Sequence, residues 1–354
     1  MHIILISLLI SLSAAVDKEV EMDTIQIIEH WGYPAERVYV TTEDGYILEL
    51  HHILRGRNQT ATSKYRPVVF LQHGLISASD VWVDNLPNQS AGFIFADAGF
   101  DVWIGNSRGN TYGRNHTNLD PNSPKFWEFS WDEMAKYDLP NSIDAILSRT
   151  KQTFLHYVGH SQGSTIVFAR NSEDPSLNAN IRKHFALAPV ATFQHIKGLF
   201  ELLAGLQPLL QLQQDLFGPS EFLPSGPLMR VAGALCSLPL GDSICSGVFF
   251  SMSGPDTNQL NKTRTPVYIS HTPADTSTQN MIHWFQMKNS GKTQKLDYAS
   301  REKNLKHYGT EIPPLYDISK VNIDTYLFWG DKDWLATEKD IKEGLLPRDL
   351  SADC

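Results

Sequence analysis

Residues 156–169 read HYVGHSQGSTIVFA and place a serine between two glycines, Gly159-His160-Ser161-Gln162-Gly163. A serine hydroxyl is a weak nucleophile at neutral pH. Ser161 therefore needs a base to take its proton and donors to stabilise the oxyanion that its attack creates. Between a strand and a helix, this spacing holds the serine on a strained turn, and small residues on either side avoid a clash. A tight strand–helix turn carrying an inert serine would have the same spacing. One candidate oxyanion donor is the N–H of Gln162, the residue after the serine. The other must come from a loop after an earlier strand, and FLQHGLISAS (70–79) supplies it as the N–H of Leu75. His73 in that loop reads as a packing residue rather than a base. A carboxylate should follow a later strand to orient the base, and YLFWGDKDWLA (326–336) offers both Asp331 and Asp333.

These residues need a scaffold, and the chain outlines one. RPVVFLQHG (66–74), GFDVWIGNSRG (99–109), TFLHYVGHS (153–161) and KHFALAPVA (183–191) are apolar, β-branched runs, and STIVFAR (164–170) continues the third with helical character. Strands this far apart with helical connections predict a parallel α/β sheet. From about 191 to 320 the character changes. GLFELLAGLQPLLQLQQDLF (198–217) and GPLMRVAGALCSLPLGDSICSGVFF (226–250) are long and apolar, and TQNMIHWFQMKNSGK (278–292) reads as an amphipathic helix. DTYLFWGDKD (324–333) returns to strand and TEKDIKEGLL (337–346) to helix. The expectation is a sheet interrupted by a mostly helical insertion.

With 42% hydrophobic and 19% charged residues, the 354-residue chain can bury a substantial core. Its formal net charge of −9 and the lack of a Lys/Arg run disfavour nucleic acid and anionic membranes as partners. No spacing calls for a metal or an organic cofactor. The opening MHIILISLLISLSAA reads as a secretory signal cleaved near Ala15–Val16, too short for a transmembrane segment. Four N-glycosylation sequons begin at Asn58, Asn88, Asn115 and Asn261, and with the signal they favour a secreted or lysosomal address. Cys236 and Cys245 are close enough to close a small loop in that compartment or to remain two buried thiols, with Cys354 left over.

The stretches HWGYPAERVYVTTEDGYIL (30–48), LQHGLISAS, GNSRGNTYGRNH (105–116), KFWEFSWDEMAKYDLP (125–140), GHSQGS, ALAPVA (186–191), SHTPADTSTQNMIHW (270–284) and WGDKDWLA resemble the acid lipase family of gastric and lysosomal lipases. The likeness spans roughly residues 25–347. It implies an α/β-hydrolase core at 16–190 and 320–354, after a signal at 1–15, with a helical cap and lid at 191–319. It also implies hydrolysis of neutral lipid esters, triacylglycerol or steryl ester, at a lipid–water interface. Carried over position by position, Ser161 matches the nucleophile, Leu75 and Gln162 the oxyanion donors, and Asp333 rather than Asp331 the triad acid. Cys236 and Cys245 match a lid-region disulfide.

The base is the exception. Such hydrolases run Ser, Asp, His in chain order. The last of the 13 histidines is His307, and WLATEKDIKEGLLPRDLSADC follows Asp333 with none. Past LLP the family has a further strand, a loop bearing the histidine and a last helix, where this sequence has RDLSADC. The expectation is therefore a lipase by lineage that, as its sequence reads, lacks the triad histidine and turns over little ester. The alternatives are a non-catalytic lipid-binding protein that keeps the pocket, and a hydrolase of small esters.

Overall fold

A computed structural model describes residues 17–60, 65–223, 227–236, 241–255 and 259–348; the signal at 1–15 and Cys354 lie outside the described residues. Eight strands form one sheet: β1 (Ala35–Thr41), β2 (Tyr46–Ile53), β3 (Val68–Gln72), β4 (Asp101–Ile104), β5 (Asn115–His116), β6 (Leu155–His160), β7 (Ile181–Leu187) and β8 (Thr325–Phe328). They lie in the order β1-β2-β4-β3-β6-β7-β8, with β5 beside β2. The run β4-β3-β6-β7-β8 is parallel, with Val69 opposite Val102, Leu71 opposite Val158, and Phe185 opposite Tyr326. These are the five strands that the apolar runs predict. The hairpin β1–β2 and the short β5 are antiparallel additions that those runs did not reveal.

All five residues of β3 are buried, because a parallel sheet is covered by its own crossover helices. Helices α1 (Thr24–His30) and α2 (Ala91–Asp97) cover one face, where Ile27, Ile28 and Phe93 meet Val69, Leu71 and Val158. Helices α3 (Leu139–Thr150) and α4 (Gln162–Glu173) cover the other, packing Ile143, Ile146 and Phe168 with Phe70 and Tyr157. Among the described residues the first face is only partly covered. Between α2 and the edge strand β8 runs an open groove of about 320 Å³ lined by residues including Phe95, Phe100, Phe185, Leu187 and Phe328.

Between β7 and β8 the chain is helical: α5 (Gly198–Ala204), α6 (Gln207–Phe217), α7 (Pro227–Cys236), α8 (Gly241–Ser253), α9 (Thr265–His271), α10 (Thr278–Ser290) and α11 (Arg301–Tyr308). A disulfide joins Cys236 to Cys245 and so ties α7 to α8. The sequence reading of 278–292 needs correction. Every residue of α10 from Thr278 to Met287 is buried, so the helix is enclosed on all sides rather than amphipathic. Its polar residues are there to make hydrogen bonds, and period alone cannot separate such a helix from a surface one. Buried Arg264, just before α9, bonds Glu19, Asp17 and the Asp84 carbonyl, tying the first described turn to the insertion.

Candidate active site

The site grows from the β6–α4 junction. Ser161 stands there with φ 50° and ψ −116°, a conformation that costs an L-residue energy and persists only where its surroundings hold it. Its N–H donates to the Leu187 carbonyl at the end of β7, 2.9 Å away. The flanking glycines are required by contact. A Cβ at 159 would lie 2.7 Å from the Gly163 carbonyl oxygen, and one at 163 would lie 2.6 Å from the Gln72 carbonyl oxygen. Strand, turn and helix can close this tightly only without side chains at both positions.

The loop after β3 comes against the serine. A Cβ on Gly74 would sit 2.9 Å from His160 Nδ1 and 3.1 Å from the Ser161 Cβ, so the backbone leading into Leu75 passes close to the Ser161 side chain. The loop is itself strained, with Ile76 buried at φ 49°. A β-branched residue rarely adopts that region. The Ile76 carbonyl accepts from Ala274 N–H at 2.8 Å, which fixes the loop to the insertion.

His73 is held as a framework group. Its Nε2 accepts from Ser107 N–H at 3.0 Å, so the proton is on Nδ1, which donates to the Gly74 carbonyl at 2.8 Å. Burial pushes its pKa down to about 4. With both nitrogens engaged it cannot serve as the base. The sequence reading missed what the 105–110 stretch does. Asn106 Oδ1 accepts from Ser79 N–H, and Arg108 is buried between Asp44 and Asp138 over the Tyr46 ring, so this loop braces the one at 73–79.

Gln162 opens α4, so its N–H precedes any helical acceptor and is available at the positive end of the helix. Its side chain is held elsewhere. The Oε1 accepts from Asn280 Nδ2 (3.0 Å) and Trp284 Nε1 (2.8 Å), both on buried α10. This clamp joins residues 118 or more positions apart. No local motif announces such a pairing.

Asp331 is exposed, whereas Asp333 is half-buried and its Oδ1 accepts from Leu335 N–H (2.8 Å) and Ala336 N–H (3.0 Å). The carboxylate's charge reaches His160, whose pKa burial lowers and Asp333 partly restores. The structure thus brings Ser161, Gln162, the 73–75 loop and Asp333 to one end of the parallel strands. In open parallel sheets, ligands bind beyond those carboxyl ends. Cys236 and Cys245 lie in the insertion. Asn58, Asn88 and Asn115 are exposed; Asn261 is half-buried, and its Nδ2 donates to Asn85 and Gln89.

An "alpha/beta hydrolase fold" model matches residues 67–345, and a "partial alpha/beta-hydrolase lipase region" matches 24–86. The lipase lipl-1 of Caenorhabditis elegans is 51% identical over 93% of this chain and 82% of its own length. Human gastric triacylglycerol lipase is 46% identical, again over 93% of this chain and 82% of its own. The chain belongs to the acid lipase family of α/β-hydrolases. The fold agrees with a solved monoglyceride lipase of Saccharomyces cerevisiae at a TM-score of 0.51 and 12% identity, over 91% of this chain and 84% of that one.

In this acid lipase family member, all the histidines except His2 are among the described residues, and none shares a hydrogen bond with Ser161 there. His195 bonds Asp340 at 2.9 Å, His271 the Glu19 carbonyl, His283 Ser130 and the Gln294 carbonyl, while His307 stacks on Tyr298. His184 is enclosed with neither nitrogen bonded. A serine–histidine–carboxylate chain does exist elsewhere. Ser79 Oγ lies 2.8 Å from His51 Nδ1, and His51 Nε2 lies 2.8 Å from Glu49 Oε1. Ser79 and His51 are wholly buried, and Ser79 also bonds Thr24. That relay knits β2 to α1 and offers nothing to a substrate.

Proposed function

We propose that this chain is a carboxylic ester hydrolase acting on neutral lipid esters at a lipid–water interface. Ser161 is the nucleophile, the Leu75 and Gln162 N–H groups form the oxyanion hole, and Asp333 is the triad acid. The observation that carries the reading is the strained Ser161 backbone with the 73–75 loop packed on its side chain. Strain of this kind persists where it serves a function. Attack by Ser161 Oγ on the ester carbonyl would place the developing negative charge near the two N–H groups, and Asp333 would steady a protonated base. The helical stretch 191–319 acts as cap and lid over this end of the sheet. The disulfide and the four sequons suit a secreted or lysosomal protein.

Among the described residues no histidine hydrogen-bonds Ser161. In the 354-residue chain, ester turnover is then expected to be low, since losing the base of a comparable triad costs about 10⁶ in kcat. That placement favours a second reading, a lipid-binding protein that keeps the pocket without the turnover. The deciding experiment measures long-chain and short-chain ester hydrolysis by the purified chain and by S161A. Hydrolysis of long-chain ester that S161A abolishes supports the enzyme; binding of the ester without S161A-sensitive turnover supports the second reading.

A further inference from the structure

On the outward side of α5 and α6, Leu202, Leu206, Leu209, Leu212, Leu216 and Phe217 are between 47% and 73% exposed. Steps of three and four residues set the leucines in a row along one side of the helical pair. The inward side is apolar too: Ala204 is buried, and Leu203 and Leu210 pack against the main core. The outward row is therefore not required for holding these helices in place. Contiguous apolar rows on the water side of a protein mark contact with a partner or a lipid surface.

The charges around the row choose between partners. From 198 to 229 there is no lysine or arginine; the charged residues are Glu201, Asp215 and Glu221, and the polar residues within α6 are mainly glutamines. Helices that lie on anionic phospholipid carry a basic rim, which gains about 1 kcal/mol per Lys or Arg near the surface. Here Glu221 is bonded by Arg114 and Asp215 lies 3.9 Å from Lys303, so the row has no excess of positive charge beside it. α6 also packs on α10, the helix whose Asn280 and Trp284 hold Gln162. The row and the candidate nucleophile are thus linked through one helix.

We propose that this leucine row is the face by which the protein docks on an uncharged lipid surface, such as emulsified triacylglycerol with a zwitterionic coat. The proposal rests on the neutral-lipid reading above and adds the surface that meets the lipid. To test it, the full chain is mixed with a phosphatidylcholine-coated triolein emulsion, or with phosphatidylserine vesicles, and floated at low and high salt. L209Q/L212Q/L216Q is compared with it, and L202Q/F217Q probes the other end of the row. Thermal melts confirm that both are folded.

The parent is expected to float with the emulsion at either salt concentration and not with the vesicles. The triple variant should partition at least tenfold less, because three large apolar side chains no longer leave water. Equal flotation of parent and folded variants would overturn the proposal. So would salt-sensitive preference for the anionic vesicles, or variants that change only the parent's self-association. Hydrolysis of a short soluble ester, assayed on the same preparations, reads the catalytic assignment separately. A parent that floats but hydrolyses nothing fails as an enzyme and leaves the docking face standing.

Discussion

Asp331 and Asp333 are two residues apart and differ in what they touch. Asp333 accepts two backbone N–H bonds and projects its charge onto His160, while Asp331 is exposed. In a preparation with measurable esterase activity, Asp333→Asn should lower kcat by about 10⁴, the loss seen when a triad carboxylate becomes an amide. Asp331→Asn should change it little. Comparable losses in steady-state assays of the two variants would remove the distinction. A second residue-scale effect concerns pH. Burial pushes the Asp84 carboxyl up to about 7, against the opposing charge of Arg264. The folded chain then holds this proton more tightly than the unfolded chain, where the pKa is about 4. Its contribution to stability is complete below that value and lost as the pH rises through about 7. Asp84→Asn should therefore flatten the decline in Tm over that window in melts at stepped pH; an unchanged slope would assign the decline to other groups. The sign is opposite for His73, His271 and His283, which burial lowers to about 4. Their contribution is present above the ordinary imidazole pKa of about 6.5 and lost as the pH falls through about 4.

At the scale of elements, the insertion is fastened in some places and loosely held in others. Buried α10 and the Arg264 tie anchor it, and the loop after β8 is stitched to it by Lys197 N–H to the Trp334 carbonyl and Trp334 N–H to the Ser253 carbonyl. The pair α7–α8 is joined by the disulfide and has Val231 and Leu235 exposed. A bond closing so short a loop contributes about 2–3 kcal/mol, mainly by restricting the unfolded chain. Cys236→Ala/Cys245→Ala should speed amide hydrogen exchange in α7 and α8 without changing it in β3, β6 or α4. It should also alter activity on emulsified ester more than on a soluble short ester. Uniformly faster exchange throughout the chain would show that the disulfide supports the whole fold.

At the scale of the whole molecule, the described residues cover the sheet unevenly. Parallel strands normally have both faces packed, yet here Phe328 on edge strand β8 is 52% exposed beside an apolar groove. An edge strand next to bare apolar surface invites association. The 354-residue chain should bind an environment-sensitive hydrophobic dye, and Phe328→Lys should reduce the bound signal at least severalfold. A dye signal that F328K leaves unchanged would place the sticky surface elsewhere, and the leucine row of α5–α6 would be the next surface to substitute.

The sequence by itself determined the five parallel strands, the helical stretch between the last two, and the Gly-x-Ser-x-Gly turn. Each is encoded locally, as an apolar run or as a spacing whose steric demand falls within a few residues. It also singled out Leu75, Gln162 and the pair Asp331/Asp333 as site candidates from the strands they follow, and the family resemblance chose Asp333 from that pair. Only the tertiary structure decided the rest. It enclosed α10, which reads as an amphipathic helix in the sequence and whose polar residues are satisfied by Gln162, Trp131 and the Gln294 carbonyl. It showed that His73 spends both nitrogens on backbone groups, that Ser79–His51–Glu49 is an inaccessible relay, and that Arg108 braces a loop. These assignments depend on hydrogen bonds and burial between residues tens to hundreds of positions apart. No periodicity or spacing along the chain records them, because the partner of a buried polar group is chosen by packing in three dimensions.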